Sequence, residues 1–128
     1  MKEIPLGAEN RREVLAEERH LASTLGNAGV HVVSTPSLIG FLELVSHSLL
    51  LNYLEGDEVS VGTRVEVDHL AAAFLGQPIV TLARVEQVER RRITFSVEAR
   101  QGDRVVMKGR HGRTVVSRER LLAAKPGR

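Results

Sequence analysis

Ser34-Thr35-Pro36-Ser37-Leu38-Ile39-Gly40-Phe41-Leu42-Glu43-Leu44-Val45-Ser46-His47-Ser48-Leu49-Leu50-Leu51-Asn52-Tyr53-Leu54 is the stretch that decides the fold. A hydroxyl residue precedes a proline at its start. Threonine at position 35 is able to cap free amides, and Pro36, with no N–H to leave unsatisfied, suits the first helical position. Leu38, Ile39, Phe41, Leu42, Leu44, Val45, Leu49, Leu50 and Leu51 then carry apolar side chains round almost every side, to about Leu54, before Glu55-Gly56-Asp57 ends the run. A helix apolar nearly all round belongs in the middle of something, because it leaves water no side to touch. At ~19 residues and 1.5 Å per residue it spans roughly 28 Å, and the rest of the chain has to wrap it.

The wrapper follows. Val59, Val61, Val65 and Val67 alternate with Ser60, Gly62, Arg64, Glu66 and Asp68, a period of two that predicts a strand from Val59 to Leu70. Gly76-Gln77-Pro78 marks a turn before Ile79, Val80, Leu82 and Val85, and Glu89-Arg90-Arg91-Arg92 separates these from Ile93, Phe95 and Val97. Gln101-Gly102-Asp103 is a hairpin turn into a last strand running from Val105 past Gly109 to Val116. Upstream, Arg12 to Leu21 suits a strand or a short helix, and we read it as a first strand. Ser23 to Ser34 is small and glycine-bearing, a loop able to act as a lid. The tail Leu121 to Arg128 has little to bury and reads as flexible. This order predicts an α+β fold, residues 1–128 as one domain with an ordered core of about 12–117, in which an antiparallel sheet wraps one long central helix. That is the hotdog architecture. Its open sheet edges predict pairing into a dimer.

Composition removes several classes of chemistry. The 128 residues include no cysteine, so disulfides, thiolate metal sites and cysteine nucleophiles are excluded. Apolar residues at 42% and charged residues at 27% fit an ordinary globular protein. A net charge of +2, aromatic content of 3% and no tryptophan give neither a strong basic field nor stacking platforms, so no nucleic-acid partner is expected. No run approaches the ~20 apolar residues that span a bilayer, and the start Met1-Lys2-Glu3-Ile4-Pro5 lacks a signal-peptide core; a cytoplasmic protein without a membrane partner is the expectation.

Three polar residues fall at positions that packing alone explains badly. Thr35 opens the helix and has a plain alternative as a cap. Glu43 lies within the helix between wheel neighbours Ile39 and Leu50. It forms either a surface pair with His47 four residues on, or a buried carboxylate, which is costly without a partner or a task. His69 ends the strand Val59 to Leu70 and is either a hydrogen-bonded structural histidine or a proton-transfer group.

Together these residues resemble something specific. Thr35-Pro36-Ser37-Leu38-Ile39-Gly40-Phe41-Leu42-Glu43, followed by Ser60-Val61-Gly62-Thr63-Arg64-Val65-Glu66-Val67-Asp68-His69, is similar to the fluoroacetyl-coenzyme A thioesterase-like family of hotdog proteins. The spacing of threonine, glutamate and histidine matches without a gap, and Gly109-Arg110-His111-Gly112-Arg113 is similar to a family segment ending in an active-site arginine. The resemblance implies an acyl-CoA thioesterase that uses Thr35, Glu43 and His69 as its catalytic set, with Gly62 and Arg113 binding substrate. It implies no metal and no cofactor. It also implies a homodimer whose two pockets each combine helix and strand residues of both subunits; pairing into a tetramer is left open. The family's namesake closes its pocket with aromatic lid residues, whereas Thr24 to Val33 contains none, so the reaction is carried over and the fluorinated acyl group is not. Arg64, Arg84, Arg90, Arg91, Arg92, Lys108 and Arg110 are candidates for the coenzyme phosphates. The fold equally supports an acyl-thioester hydratase or dehydratase, or a non-catalytic acyl-CoA-binding module.

Overall fold

The computed structural model describes residues 1–127. Five strands form one antiparallel sheet: β1 (Glu9–Val14), β2 (Glu58–His69), β3 (Ile79–Glu89), β4 (Arg92–Gln101) and β5 (Arg104–Ser117), in the spatial order β1-β3-β4-β5-β2. The helix α1 (Thr35–Leu50) packs on one face of it. Period-two alternation explains which face. On β4, Ile93, Phe95, Val97 and Ala99 are buried towards α1, while Arg92 and Arg100 are exposed. The helix answers with Leu38, Leu42, Val45, Leu49 and Leu50, and these side chains form the centre of the core. The observed architecture is the expected one.

Expectations are corrected at three places along the chain. First, the cap is Ser34 rather than Thr35: its hydroxyl accepts from the Ser37 N–H at 3.2 Å, which places Thr35 and Pro36 in the first helical turn. Second, α1 ends at Leu50 instead of about Leu54. The Asn52 and Tyr53 amides bond back to the Leu49 and Leu50 carbonyls, tightening the last turn, and the Asn52 side chain caps Leu49 O as well. The helix is also not enclosed on every side, since Leu44 and Leu51 are 43% and 56% exposed. Third, the first strand is Glu9–Val14, upstream of the predicted Arg12–Leu21, while Glu18–His20 forms a short 3-10 turn held by reciprocal Glu17 and His20 bonds. An edge strand that buries little has no hydrophobic period to read. Its place is fixed by pairing Val14 with Ile79 and by latches onto the helix, Asn10 Nδ2 to Val45 O and Arg12 Nη1 to Ser48 Oγ, both 3.0 Å.

The loop from Ala22 to Val32 is closed at its base by a Leu21–Val33 bridge and bonded internally, Ser23 N to Val30 O and Asn27 N to Ala22 O. In the tail, Ser117 caps a short exposed helix, α2 (Arg118–Ala123); Arg128, part of the segment read as flexible, lies outside the described residues. No helix among the described residues is long and apolar enough to cross a membrane. Leu38 has no exposed surface, so Leu38→Ala is expected to cost about 2–5 kcal/mol, read as a lowered urea midpoint followed by circular dichroism.

Candidate active site

The site starts with an irregularity in β2. Gly62 pairs with Arg113 and Arg64 pairs with Gly112, leaving Thr63 as an extra residue in a bulge. Residues opposite each other share a face, and the pairs turned towards the helix are Ser60 with Val115, Gly62 with Arg113, Val65 with His111, Val67 with Gly109, and His69 with Met107. The inward set therefore changes parity at the bulge. The simple alternation read from the sequence placed Ser60 on the outer face with Arg64 and Glu66; instead Ser60 is only 7% exposed. Without the extra residue, His69 would point away from α1.

Two groups of candidate residues result. At the open end of β2, the Thr35 hydroxyl and His69 Nδ1 are 2.7 Å apart, and both residues are exposed. The serine cap makes this possible, because a threonine occupied with amides would not be free to meet the imidazole. The same cap uses up donors: Pro36 has no N–H, and the Ser37 and Leu38 amides bond to Ser34 Oγ and O. Of the first turn, only the Thr35 N–H is left to stabilise an oxyanion.

Two helical turns further on, about 12 Å along the axis, sits the second group. Glu43 Oε2 lies 3.6 Å from Arg113 Nη1, with the glutamate side chain 41% exposed and the arginine 9%. Glu43 is thus neither a surface partner of His47 nor a buried carboxylate. It is half-open and ion-paired to a buried cation. The remaining Arg113 donors are used internally, Nε to Ser60 Oγ at 2.9 Å, Nη2 to Ser60 O at 3.0 Å, and Nη1 to His111 Nε2 at 3.2 Å. A Cβ at position 62 would lie 2.6 Å from Glu43 Oε2, so a larger residue there displaces the carboxylate. Among the described residues no hydrogen bond or ion pair joins the two groups within one chain. A narrow apolar crevice runs beside Glu43 between Ile39, Leu42, Val65 and Val97, whereas a roomier open depression of about 670 Å³ lies at the far end of β2 around Asp57, Arg91 and Leu121 and is lined by none of these residues.

Sequence reasoning gave no site role to His111, Ser60 or His47. His111 is 2% exposed and stacks on Phe95; its Nδ1 lies 2.7 Å from the Arg64 carbonyl. His47 Nδ1 is 2.8 Å from Ser60 Oγ. A signal was available in the two-residue spacing of His111, Arg113 and Val115 along one strand, which gives a polar pair the same face as a core valine. Burial and the Arg113 charge hold both imidazoles below the ordinary histidine range, the Arg64 carbonyl and Glu43 partly offsetting this at His111. Among the described residues no group of three His, Asp or Glu side chains is placed to hold a metal ion. Of the cations considered for coenzyme phosphates, Arg64, Arg84 and Arg91 are engaged with Glu66, Glu9 and Glu58.

A family model for fluoroacetyl-CoA-specific thioesterases matches residues 16–119. The chain belongs to that family. The fluoroacetyl-CoA thioesterase of Streptantibioticus cattleyicolor is 33% identical over 92 residues, which cover 72% of this chain and 66% of that enzyme, just under two thirds of its length. A crystal structure of a fluoroacetyl-CoA-specific thioesterase mutant with fluoroacetate and CoA superposes with a TM-score of 0.87 at 26% identity, covering 92% of this chain and 99% of the other. A thioesterase superfamily member from Thermus thermophilus gives a TM-score of 0.87 at 29% identity, covering 96% and 91%. Membership in a thioesterase family accounts for the fold and for the resemblance carried by Thr35, Glu43 and His69.

The two depressed imidazoles make stability pH-dependent. The unfolded chain takes up protons on His47 and His111 below about pH 6.5 while the folded chain does not, so their contribution is complete above that pH and is lost as pH falls towards the folded values. The melting temperature is expected to drop between pH 7.5 and pH 5, and the drop to shrink in His111→Gln; scanning calorimetry across that range checks both.

Proposed function

We propose that this chain is an acyl-CoA thioesterase, hydrolysing a thioester to a free acid and coenzyme A, and that it works as a homodimer in which each active site joins Glu43 of one subunit to Thr35 and His69 of the other. The observation that carries this reading is the split site: a Thr35–His69 pair at 2.7 Å, and a Glu43 carboxylate set against Arg113 two helical turns away. What would close the gap is the free edge of β2. From Gly62 to Asp68 this edge strand is mostly exposed, with Val65 at 43%, and an uncovered strand of that kind invites pairing. If two β2 strands pair antiparallel about a twofold axis at Glu66, Val65 faces the partner's Val67 and, with Thr63 left as the extra residue, Gly62 falls opposite the partner's His69. Glu43, which lies against Gly62, then meets the Thr35–His69 pair of the other subunit, and symmetry repeats the arrangement.

The chemistry follows from these groups. A thiolate is a good leaving group, so the demanding steps are attack on the carbonyl carbon and support for the oxyanion. With Oε2 turned to Arg113, Glu43 keeps Oε1 for a water, whose proton it removes as the oxygen attacks, or for direct attack giving an anhydride that water cleaves. The Thr35 hydroxyl and N–H polarise the carbonyl. The C–S bond breaks, and the departing sulfur takes a proton from His69, an imidazole being able to exchange one near neutral pH. Arg90, Arg92, Lys108 and Arg110 remain as the cations for the coenzyme phosphates. The absence of aromatic residues from Thr24 to Val33 leaves the acyl group to be set by a substrate panel that includes fluoroacetyl-CoA.

The purified protein, incubated with acyl-CoA thioesters from acetyl and fluoroacetyl to long-chain and aromatic, is expected to release free thiol on at least one of them. Glu43→Gln and His69→Ala are each expected to abolish release while the dimer stays folded; unaltered rates would remove the site assignment, and silence of the wild type across the panel would remove the function.

Subunit mixing tests the composite site separately. Glu43→Gln and His69→Ala chains, each inactive alone, are expected after co-refolding to recover about one quarter of wild-type activity, because half of randomly paired dimers carry one intact site of two. No recovery would mean that each site is built from one chain.

A further inference from the structure

Arg113 imposes directions on every hydrogen bond around it. A guanidinium has five N–H donors and no acceptor and stays protonated in proteins. His111 Nε2, at 3.2 Å from Nη1, must therefore accept. An imidazole that accepts at Nε2 carries its proton on Nδ1, and Nδ1 faces the Arg64 carbonyl at 2.7 Å, which accepts in turn. The two contacts agree on a single species, neutral imidazole with Nδ1–H. On the other side Ser60 Oγ accepts from Arg113 Nε at 2.9 Å and sends its own proton towards His47 Nδ1 at 2.8 Å.

We infer that His111 is a positioning residue that holds Arg113, and through it the Glu43 carboxylate, in working position, and that it does so only as the neutral Nδ1–H imidazole. The inference rests on Glu43 being the carboxylate of the proposed thioesterase. Facing the His111 ring are Arg113 from its own strand, the Arg64 carbonyl from β2, Glu43 from α1 and the Phe95 ring from β4; His47 stands one hydrogen bond further, across Ser60. Protonation at Nε2 would set an N–H against the Arg113 N–H and a positive charge beside a positive charge. Burial gives water little access with which to take up the mismatch, because His111 and Arg113 are 2% and 8% exposed. Nη1 then has to swing away, and it is the nitrogen that faces Glu43. Ser60 behaves differently: its oxygen is able to accept twice, so a charged His47 does not force the guanidinium to move.

A direct readout of the imidazole is independent of turnover. Long-range proton–nitrogen correlation spectra of the wild-type protein, assigned by comparison with His111→Gln, are expected to show His111 as the Nδ1–H tautomer at pH 7.5; an Nε2–H tautomer overturns the proposal. Kinetics then use whichever thioester of the panel the wild type hydrolyses fastest. His111→Leu is expected to lose about tenfold or more in kcat with KM changed by less than about threefold, and His111→Gln, which offers one amide donor and one carbonyl acceptor, to recover most of that loss. The fall of kcat towards acid pH is expected to weaken in His111→Gln, whose amide does not titrate. Equal rates in both variants with an unchanged acid limb overturn the proposal. If no thioester is hydrolysed the proposed function fails, and a crystal structure of His111→Leu decides the positioning claim: Arg113 Nη1 displaced from Glu43 supports it, and an unmoved guanidinium overturns it.

Discussion

A cation buried in the core of a small protein is expensive, and the structure around it has to repay the cost by satisfying every donor. Arg113 is that cation. Its partners come from the Ser60 side chain, the Ser60 carbonyl, His111 and Glu43, so β2, β5 and α1 are tied at one point. These bonds make the position of a half-exposed glutamate on α1 a property of the sheet. No buried side-chain nitrogen or oxygen among the described residues is left without a partner, and a buried polar network with every atom engaged favours one arrangement.

At the other end of α1 the division of labour is between neighbours. Ser34 caps the helix and Thr35 is free to meet His69, so two adjacent hydroxyl residues perform separate tasks. Swapping the roles would keep the helix and lose the pair. The helix is thus a rigid ruler carrying a hydroxyl at its first residue and a carboxylate two turns on, with Ile39 between them lining an apolar crevice.

Much of this was legible in the sequence. The apolar run from Leu38 to Leu51 and the valine alternation after Glu58 carry a strong period, and they led to the correct layers and the hotdog arrangement. The first strand was misplaced because an edge strand, exposed along most of its length, has no such period. The end of the helix was overrun because Leu51 and Leu54 continue the apolar pattern into a turn closed by backbone bonds at Asn52 and Tyr53. At the site, Thr35 and His69 were singled out and meet in the fold. Glu43 was left between burial and a His47 pair, and its actual partner, Arg113, lies seventy positions away, where no local pattern reaches. Ser60 was assigned to the wrong face because alternation assumes an uninterrupted strand.

That interruption has an arithmetic consequence. Gly62 and His69 are seven residues apart, an odd number, and in a regular strand two such residues look in opposite directions. The extra Thr63 turns an odd interval into an even one. The count of residues between the two is therefore as much a part of the site as their identities: a substitution at Thr63 changes a side chain, whereas a deletion there would rotate half of β2 by a half-turn and carry the histidine to the wrong surface. Relatives that keep the same use of this strand should preserve the interval even where they have exchanged nearly every residue within it.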